Sequence, residues 1–310
     1  MYHGLEIYYN ISEKILLQPY GFHSLICEFV QYFQNKEGVN IINTNIFSYG
    51  GNEYDVDPCN ILVFNKFKNS YTLITFVDCQ CQLTSFLNWR DNSNDKLVCA
   101  QLQMTDVLSK PHKYKIIPNT YSVSDQFIIY DDPIDSLYEK RSSKKHFNNK
   151  LLFRGNCSLI GCDRRPILML SGMPDFVGWH GTSEYWNELI ECSIGLSVPG
   201  IGELCMRDIE YMAIGIPMLR FKYIGETLNP SLVPNYHYIS IDRMDNHPDI
   251  ERTGGNNPAE YALVYWNKFN EIKKDLDFLE YISKNARKYY EDYLHPSTRL
   301  THFLKITELD

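Results

Sequence analysis

"SVPGIGELCMRDIEYMAIGIPMLRF", residues 197–221, decides the fold. It reads as the end of a buried strand, a glycine-rich turn, a helix, and a stop on Gly215-Ile216-Pro217 before a second strand. A strand that enters glycine-rich backbone and then a helix sets free amide groups at the carboxyl edge of a parallel sheet, where anions bind. Gly200 and Gly202 allow a ligand to approach the main chain, because no Cβ intervenes. Met206 and Arg207 stand where a dinucleotide fingerprint would place its third glycine, which argues against a nicotinamide or flavin site.

Working outward, the same pattern recurs on both sides. Before it come "KLLFRG" (150–155) as a strand, "DRRPILMLSG" (163–172) and "SEYWNELIEC" (183–192) as helices, and "SIGLSV" (193–198) as a strand. After it come "HYISID" (237–242) as a strand and a helical tail from Pro258. The first half alternates "LEIYYN" (5–10), "HSLICEFVQYFQN" (23–35), "VNIINT" (39–44), "NILVF" (60–64) and "YTLITFVD" (71–78). Residues 95–110 then read as a helix and "KYKIIPNTYSV" as an extended segment. Continuous apolar strands separated by helices predict a parallel sheet covered on both faces. The chain turns polar around 131–149, which places an N-terminal domain at 1–145 and a C-terminal domain at 146–310. The expected fold is α/β, with two Rossmann-like domains facing a cleft and a helical C-terminal tail.

A chain of 310 residues with 44% hydrophobic content has ample core for two domains. A formal charge of -8 argues against a nucleic-acid partner. Lys140 to Lys145 (KRSSKK) is the basic cluster, and it reads as a solvated linker. No apolar run is long enough to span a bilayer and the N-terminus lacks a signal-peptide core, so a soluble cytoplasmic protein is expected. Nine scattered cysteines read as reduced thiols, with Cys27, Cys99, Cys192 and Cys205 in apolar runs. Cys79 with Cys81 and Cys157 with Cys162 complete no set of four ligands, and no metal site is expected.

Glu203, Arg207 and Glu210 follow at spacings of four and three, and so share one helical face. A cation with two carboxylates beside a phosphate-binding turn suits a nucleoside diphosphate: the arginine meets the charge, a carboxylate the ribose hydroxyls. An intrahelical salt bridge on a wet surface explains the spacing equally well. Arg154 tilts the balance, because it emerges at the end of a strand, with Arg164 and Arg165 at the next helix start. Arginines converging there neutralise a diphosphate leaving group without a metal. His237 and its neighbours Tyr236 and Tyr238, with Tyr223, are candidates for contacting the base.

"LLFRG", "SIGLSVPG", "ELCMRDIEYMAIGIPML", "LVPNYHYISID" and "NARKYYEDYL" together resemble the nucleotide-sugar-binding half of exostosin-like and protein O-glucosyltransferase-like enzymes, over residues 150–295. The pattern R-x-x-E-x-x-x-x-G-x-P, here Arg207, Glu210, Gly215 and Pro217, carries most of the likeness. The resemblance implies an inverting, metal-independent glycosyltransferase of the two-Rossmann (GT-B) type, with relatives in large DNA viruses of algae, which for a viral protein means the host cytoplasm. It implies a nucleotide-sugar donor, such as UDP-xylose or UDP-glucose, and a glycan acceptor. By the same resemblance Arg154 and Arg207 contact the diphosphate and Glu210 the ribose. Inverting transfer needs a base for the acceptor hydroxyl, and Asp78, closing "TLITFVD", is the first choice, ahead of His23 and Asp106. The alternative for Asp78 is a helix N-cap. Asp55-Val-Asp57 is a D-x-D in the wrong context for a metal signature, and Asp131-Asp132 reads as solvated. Two other functions stay open at this point: a binding protein without turnover, and an epimerase or phosphorylase on the same scaffold.

Overall fold

The computed structural model describes residues 4–9, 23–43, 59–65, 70–77, 96–101, 115–118, 134–144, 147–154, 165–170, 182–199, 204–223, 228–245, 255–307 and 309. The chain divides into two compact units, Met1–Ser122 with Arg299–Asp310, and Val123–Thr298.

The first unit holds a six-stranded sheet in the order β2-β1-β3-β4-β5-β6. Its strands are β1 (Leu5–Tyr9), β2 (Val39–Asn43), β3 (Cys59–Asn65), β4 (Ser70–Val77), β5 (Lys96–Gln101) and β6 (Lys115–Pro118). Helix α1 (His23–Gln34) links β1 to β2, which pair in parallel. Ile7 and Tyr9, two apart on β1, point to one face and bury there with Leu25, Phe29 and Phe33 of α1. The sheet is mixed rather than all parallel, because β3 runs antiparallel to β1 and β4. Only residues 66–69 join β3 to β4, and a parallel pair needs a crossover of about a dozen residues or more. Residues 96–101 form a strand instead of the expected helix, bonded in parallel to β4 on one side and β6 on the other. The continuous apolar run "LVCA" has no helical or strand period of its own, so its neighbours decide.

The second unit holds four strands in the order β10-β9-β8-β7, all parallel. They are β7 (Asn148–Leu152), β8 (Cys192–Leu196), β9 (Met218–Phe221) and β10 (Ile239–Ile241). Around them lie α2 (Ile134–Ser142), α3 (Arg165–Leu170), α4 (Thr182–Glu191), α5 (Met206–Ala213), α6 (Pro258–Ile272) and α7 (Leu276–Tyr289), the last running on into a π-helical turn, Tyr290–Leu294. Every residue of β8 is buried, as a central strand covered on both faces must be. Asn257 caps α6 before Pro258, and Asp275 caps α7 by accepting from the Phe278 amide at 3.1 Å.

The boundary read from polarity, at 145/146, differs from the division of the contacts at both ends. The segment 134–142 is a helix of the second unit, and the basic cluster is not wholly a solvated linker. Arg141 is buried, with Nη1 donating to the carbonyls of Leu189, Ile190 and Cys192 at 3.0, 3.1 and 2.7 Å and Nε to Gly215 at 3.1 Å. Its ring partner is Phe147, and burial pulls its pKa down to about 10. The last carbonyls of α4 lack helix partners, and this guanidinium supplies them. At the other end α8 (Pro296–Thr307) belongs from Arg299 onward to the first unit. Arg299 forks onto both oxygens of Glu28, with Nε at 2.8 Å from Oε2, while Phe303 and Leu304 enter the core around Phe29.

Gly195, in the middle of β8, has a packing reason. A Cβ there would stand 2.6 Å from the Tyr211 ring. That ring is fully buried, and its hydroxyl lies 3.2 Å from the Leu152 carbonyl and 3.3 Å from that of Leu196, so it has nowhere to move. Gly195→Ala is expected to lower stability by about 1–3 kcal/mol, the usual cost of overpacking; denaturant unfolding checks it, and an unchanged midpoint would contradict the rigid Tyr211 wall.

Candidate functional site

In a parallel sheet all carboxyl ends share one edge. Here that edge is formed by Phe153 and Arg154 after β7, Ser197 after β8, and Lys222 and Tyr223 after β9. Helix α5 starts there, and its neighbour α4 begins there too, because α4 runs back antiparallel into β8.

The first anchor is Asp208, which sequence reasoning did not single out. Its carboxylate is fully buried and accepts from four donors: the Ser197 hydroxyl, the Cys205 amide at 3.0 Å, Arg220 Nη1 at 2.9 Å and the Tyr223 hydroxyl at 3.1 Å. Arg220 is equally buried and lies 3.4 Å over the Tyr223 ring. Cys205 is the N-cap, and Asp208 three residues on returns to its amide. That spacing is the signal the sequence offered. The described helix begins at Met206, with Leu204 and Cys205 non-helical before it.

The second anchor is the helix end. Ile214 is the C-cap, Gly215 has φ +67°, and the Ile216 amide reaches the Tyr211 carbonyl at 2.8 Å while the Gly215 amide reaches Met212 at 3.2 Å. This is the doubly bonded left-handed stop that favours glycine. The Gly215 carbonyl is held by Arg141 and, at 2.6 Å, by the Ser283 hydroxyl. In the R-x-x-E-x-x-x-x-G-x-P pattern, Gly215 and Pro217 thus serve the amino edge of the sheet, and Arg207 and Glu210 the carboxyl edge.

Between these anchors the structure brings Arg154, Arg207 and Glu210 together, with Tyr185 and Glu188 of α4, which sequence reasoning missed. Arg207 lies 4.1 Å over the Phe153 ring and donates Nε at 2.8 Å, and also Nη2, to the Arg154 carbonyl. Its Nη1 is buried and makes no hydrogen bond among the described residues. Burial opposes the Arg207 charge, but the surrounding groups, Tyr211 and Asp208 among them, outweigh it and raise its pKa. Glu210 accepts from the Tyr185 hydroxyl. Burial pushes the Glu210 pKa up, against the Tyr185 hydrogen bond and the Arg207 charge that pull it down. Burial likewise raises Tyr185 well above the usual phenol range, with Glu210 adding to it.

Arg154 departs from the expectation of a side chain offered to a ligand. Its guanidinium is 3% exposed and engaged by Glu188: Nε lies 2.5 Å from Oε2, and Nη2 faces the same oxygen. Tyr185 and Glu188 are three residues apart on α4 and share a face, which is the signal their sequence carried.

His237 lies apart from this group, because it precedes β10 and so stands at the opposite, amino edge. Its Nδ1 accepts from the Val233 amide at 2.9 Å, and its ring packs against Tyr236 and Tyr289. Burial lowers its pKa, so the neutral ring that this bond requires is favoured. Tyr238 is buried with its ring edge to Tyr223. Arg165 is the first residue of α3 and His23 the first of α1. Asp78, Arg164, Gly200, Gly202, Glu203 and Asp106 lie outside the described residues, as do Asp55, Asp57, Asp131, Asp132 and the cysteines at 79, 81, 157 and 162. Among the described residues no group of three or more His, Cys, Asp or Glu is placed to hold a metal ion. Cys27, Cys192 and Cys205 take part in no disulfide among the described residues, and burial raises the Cys192 pKa to about 11. No described helix is long and apolar enough to cross a membrane.

No protein-family model matches the chain. No curated protein matches it by sequence. Solved structures with a similar chain path include Anabaena Alr3699/HepE in complex with UDP and glucose, at 11% identity and TM-score 0.46, covering 75% of this chain and 71% of that one. A glycosyltransferase from Rickettsia africae ESF-5 is 11% identical at TM-score 0.44, over 86% and 84% of the two chains. TarM is 10% identical at TM-score 0.40, over 79% and 61%.

Asp208 and Arg220 form a pair with no access to water, so removing one charge strands the other. Asp208→Asn is expected to cost about 3 kcal/mol or more, measured by denaturant unfolding. A loss under 1 kcal/mol would mean that the carboxylate does not carry the start of α5.

Proposed function

We propose that the chain is a glycosyltransferase of the GT-B type that takes a sugar from a nucleotide-sugar donor at the carboxyl edge of the second sheet. One observation supports this above the rest: Arg207, in the first turn of α5 and near Glu210, holds one guanidinium nitrogen buried and without a hydrogen bond among the described residues. A buried donor without a partner among the described residues is unfavourable unless an anion or water meets it. A diphosphate oxygen satisfies it with a charge-assisted bond, and Glu210, one residue-triplet along the same face, suits a ribose diol. An ordinary surface salt bridge does not explain the cluster, because Arg207 bonds a main-chain carbonyl and Glu210 a tyrosine rather than each other.

The finer reading is an inverting, metal-independent, exostosin-like or protein O-glucosyltransferase-like hexosyl- or pentosyltransferase, possessing a UDP-sugar donor such as UDP-xylose or UDP-glucose and a glycan acceptor. The protein works in the cytoplasm, that of a host if the source is a large DNA virus. The acceptor oxygen attacks the anomeric carbon as the bond to the diphosphate oxygen breaks, and Asp78 takes the hydroxyl proton. Arg207 meets the charge that grows on the leaving diphosphate, which removes the need for an ion.

Product analysis with a panel of nucleotide sugars and simple glycoside acceptors tests this. Transfer is expected to persist in a chelator, and its strict loss there would contradict metal-independence. Arg207→Met and Glu210→Gln are each expected to lower donor kcat/KM about 10- to 100-fold. Asp78→Asn is expected to abolish transfer while donor binding persists; unchanged turnover would remove Asp78 from the chemistry, and donor binding without turnover by the unaltered protein would make it a binding protein.

A further inference from the structure

Resting on the reading of this edge as a diphosphate site, we propose that Glu188 is an exchangeable counter-anion, which occupies Arg154 in the unliganded protein and gives it up to the donor diphosphate. The pair is lopsided. Arg154 is 3% exposed, whereas the Glu188 side chain is 34% exposed. The buried guanidinium cannot return to water without moving the fold, whereas the partly exposed carboxylate recovers hydration when it leaves. It is therefore the mobile member, and a second anion is what releases it.

Charge gives the same direction. Among the described residues Glu188 pairs with Arg154 and the Glu210 carboxylate interacts with Arg207, so the carboxylate on Arg154 opposes an approaching diphosphate. Withdrawal of Glu188 removes that opposition. The two arginines are already joined, because Arg207 donates to the Arg154 carbonyl, and the Arg207 Nη1 next to it offers the incoming anion a further donor.

The released carboxylate has a place to go. Beside α4 and β7 lies a hollow of about 210 Å³, lined by Glu188 together with Lys150, Leu152, Asn187 and Glu191. Lys150 and Leu152 both line this hollow with Glu188, and Arg154 lies two residues beyond Leu152. Glu191 is engaged by Lys144. Lys150 is the cation that receives Glu188 in the liganded state.

Calorimetric titration of the full chain with UDP and, separately, with inorganic pyrophosphate tests the exchange. Glu188→Gln is expected to bind both about tenfold more tightly, the size of one charge-assisted hydrogen bond no longer competed for. Glu188→Asp, whose shorter reach weakens the hold on Arg154, is expected to tighten binding about threefold, and it serves should the glutamine variant fail to fold. Lys150→Met is expected to weaken binding about threefold by removing the receiving charge. A purely structural pair predicts lower stability for Glu188→Gln with binding unchanged or weaker, and that result would overturn the proposal. Tighter pyrophosphate binding by Glu188→Gln with no preference for UDP over pyrophosphate would uphold the exchange and remove the nucleotide. Absence of binding of either anion to any form would remove both.

Discussion

A buried carboxylate fixes where helix α5 begins, and the rest of the site follows from it. Asp208 gathers the end of β8 through Ser197, the end of β9 through Arg220 and Tyr223, and the helix's own first amide at Cys205. Each helical residue turns by about 100°, so with Asp208 directed inward, Arg207 and Glu210 share a different face. An ion pair this deep contributes less to net stability than to uniqueness, since an apolar pair of the same volume would pack as well. What it specifies is a helix start that cannot slide, and with it the position of the two charged side chains on either side.

The second unit uses its arginines in two ways. At the amino edge of the sheet, Arg141 and Arg287 sit against main-chain carbonyls at helix ends: Arg141 on Leu189, Ile190, Cys192 and Gly215, and Arg287 on Ala213, with Asp135 and Glu291 at 2.6 Å completing its shell. Those carbonyls have no helix partner of their own, so the arginines close an inventory that water cannot reach. At the carboxyl edge Arg220 is fixed on the buried Asp208, and Arg243 donates to the Asp245 and Lys222 carbonyls. Arg207 differs: it donates to the Arg154 carbonyl, and its Nη1 makes no hydrogen bond among the described residues. Arg154 differs too, since its carboxylate partner Glu188 is about one third exposed.

The regular elements were legible because their periods are strong. The strand "SIGLSV", the helix "SEYWNELIEC" and the glycine stop at 215 all follow from local chemistry. Strand β5 was not, because an apolar run without polar alternation fits a helix or a strand until parallel neighbours bond it on both sides. The antiparallel β3 was in reach, through the shortness of residues 66–69. The helical status of 134–142 was concealed by its charge: Arg141 looks like a solvent residue until four carbonyls are seen to surround it.

The sequence by itself determined two α/β stretches with a helical tail, a strand-turn-helix unit at 197–221, and the spacing that sets Arg207 and Glu210 on one helical face. These depend on residues a few positions apart, and so are written in local order. Tertiary structure alone decided that Asp208 is the buried member of that helix, that Arg154 is held by a glutamate 34 residues away, and that the last helix belongs with the first residues of the chain. Burial and ion pairing between distant segments depend on how the chain closes on itself. A charged residue reads the same in sequence whether water or a partner is waiting for it.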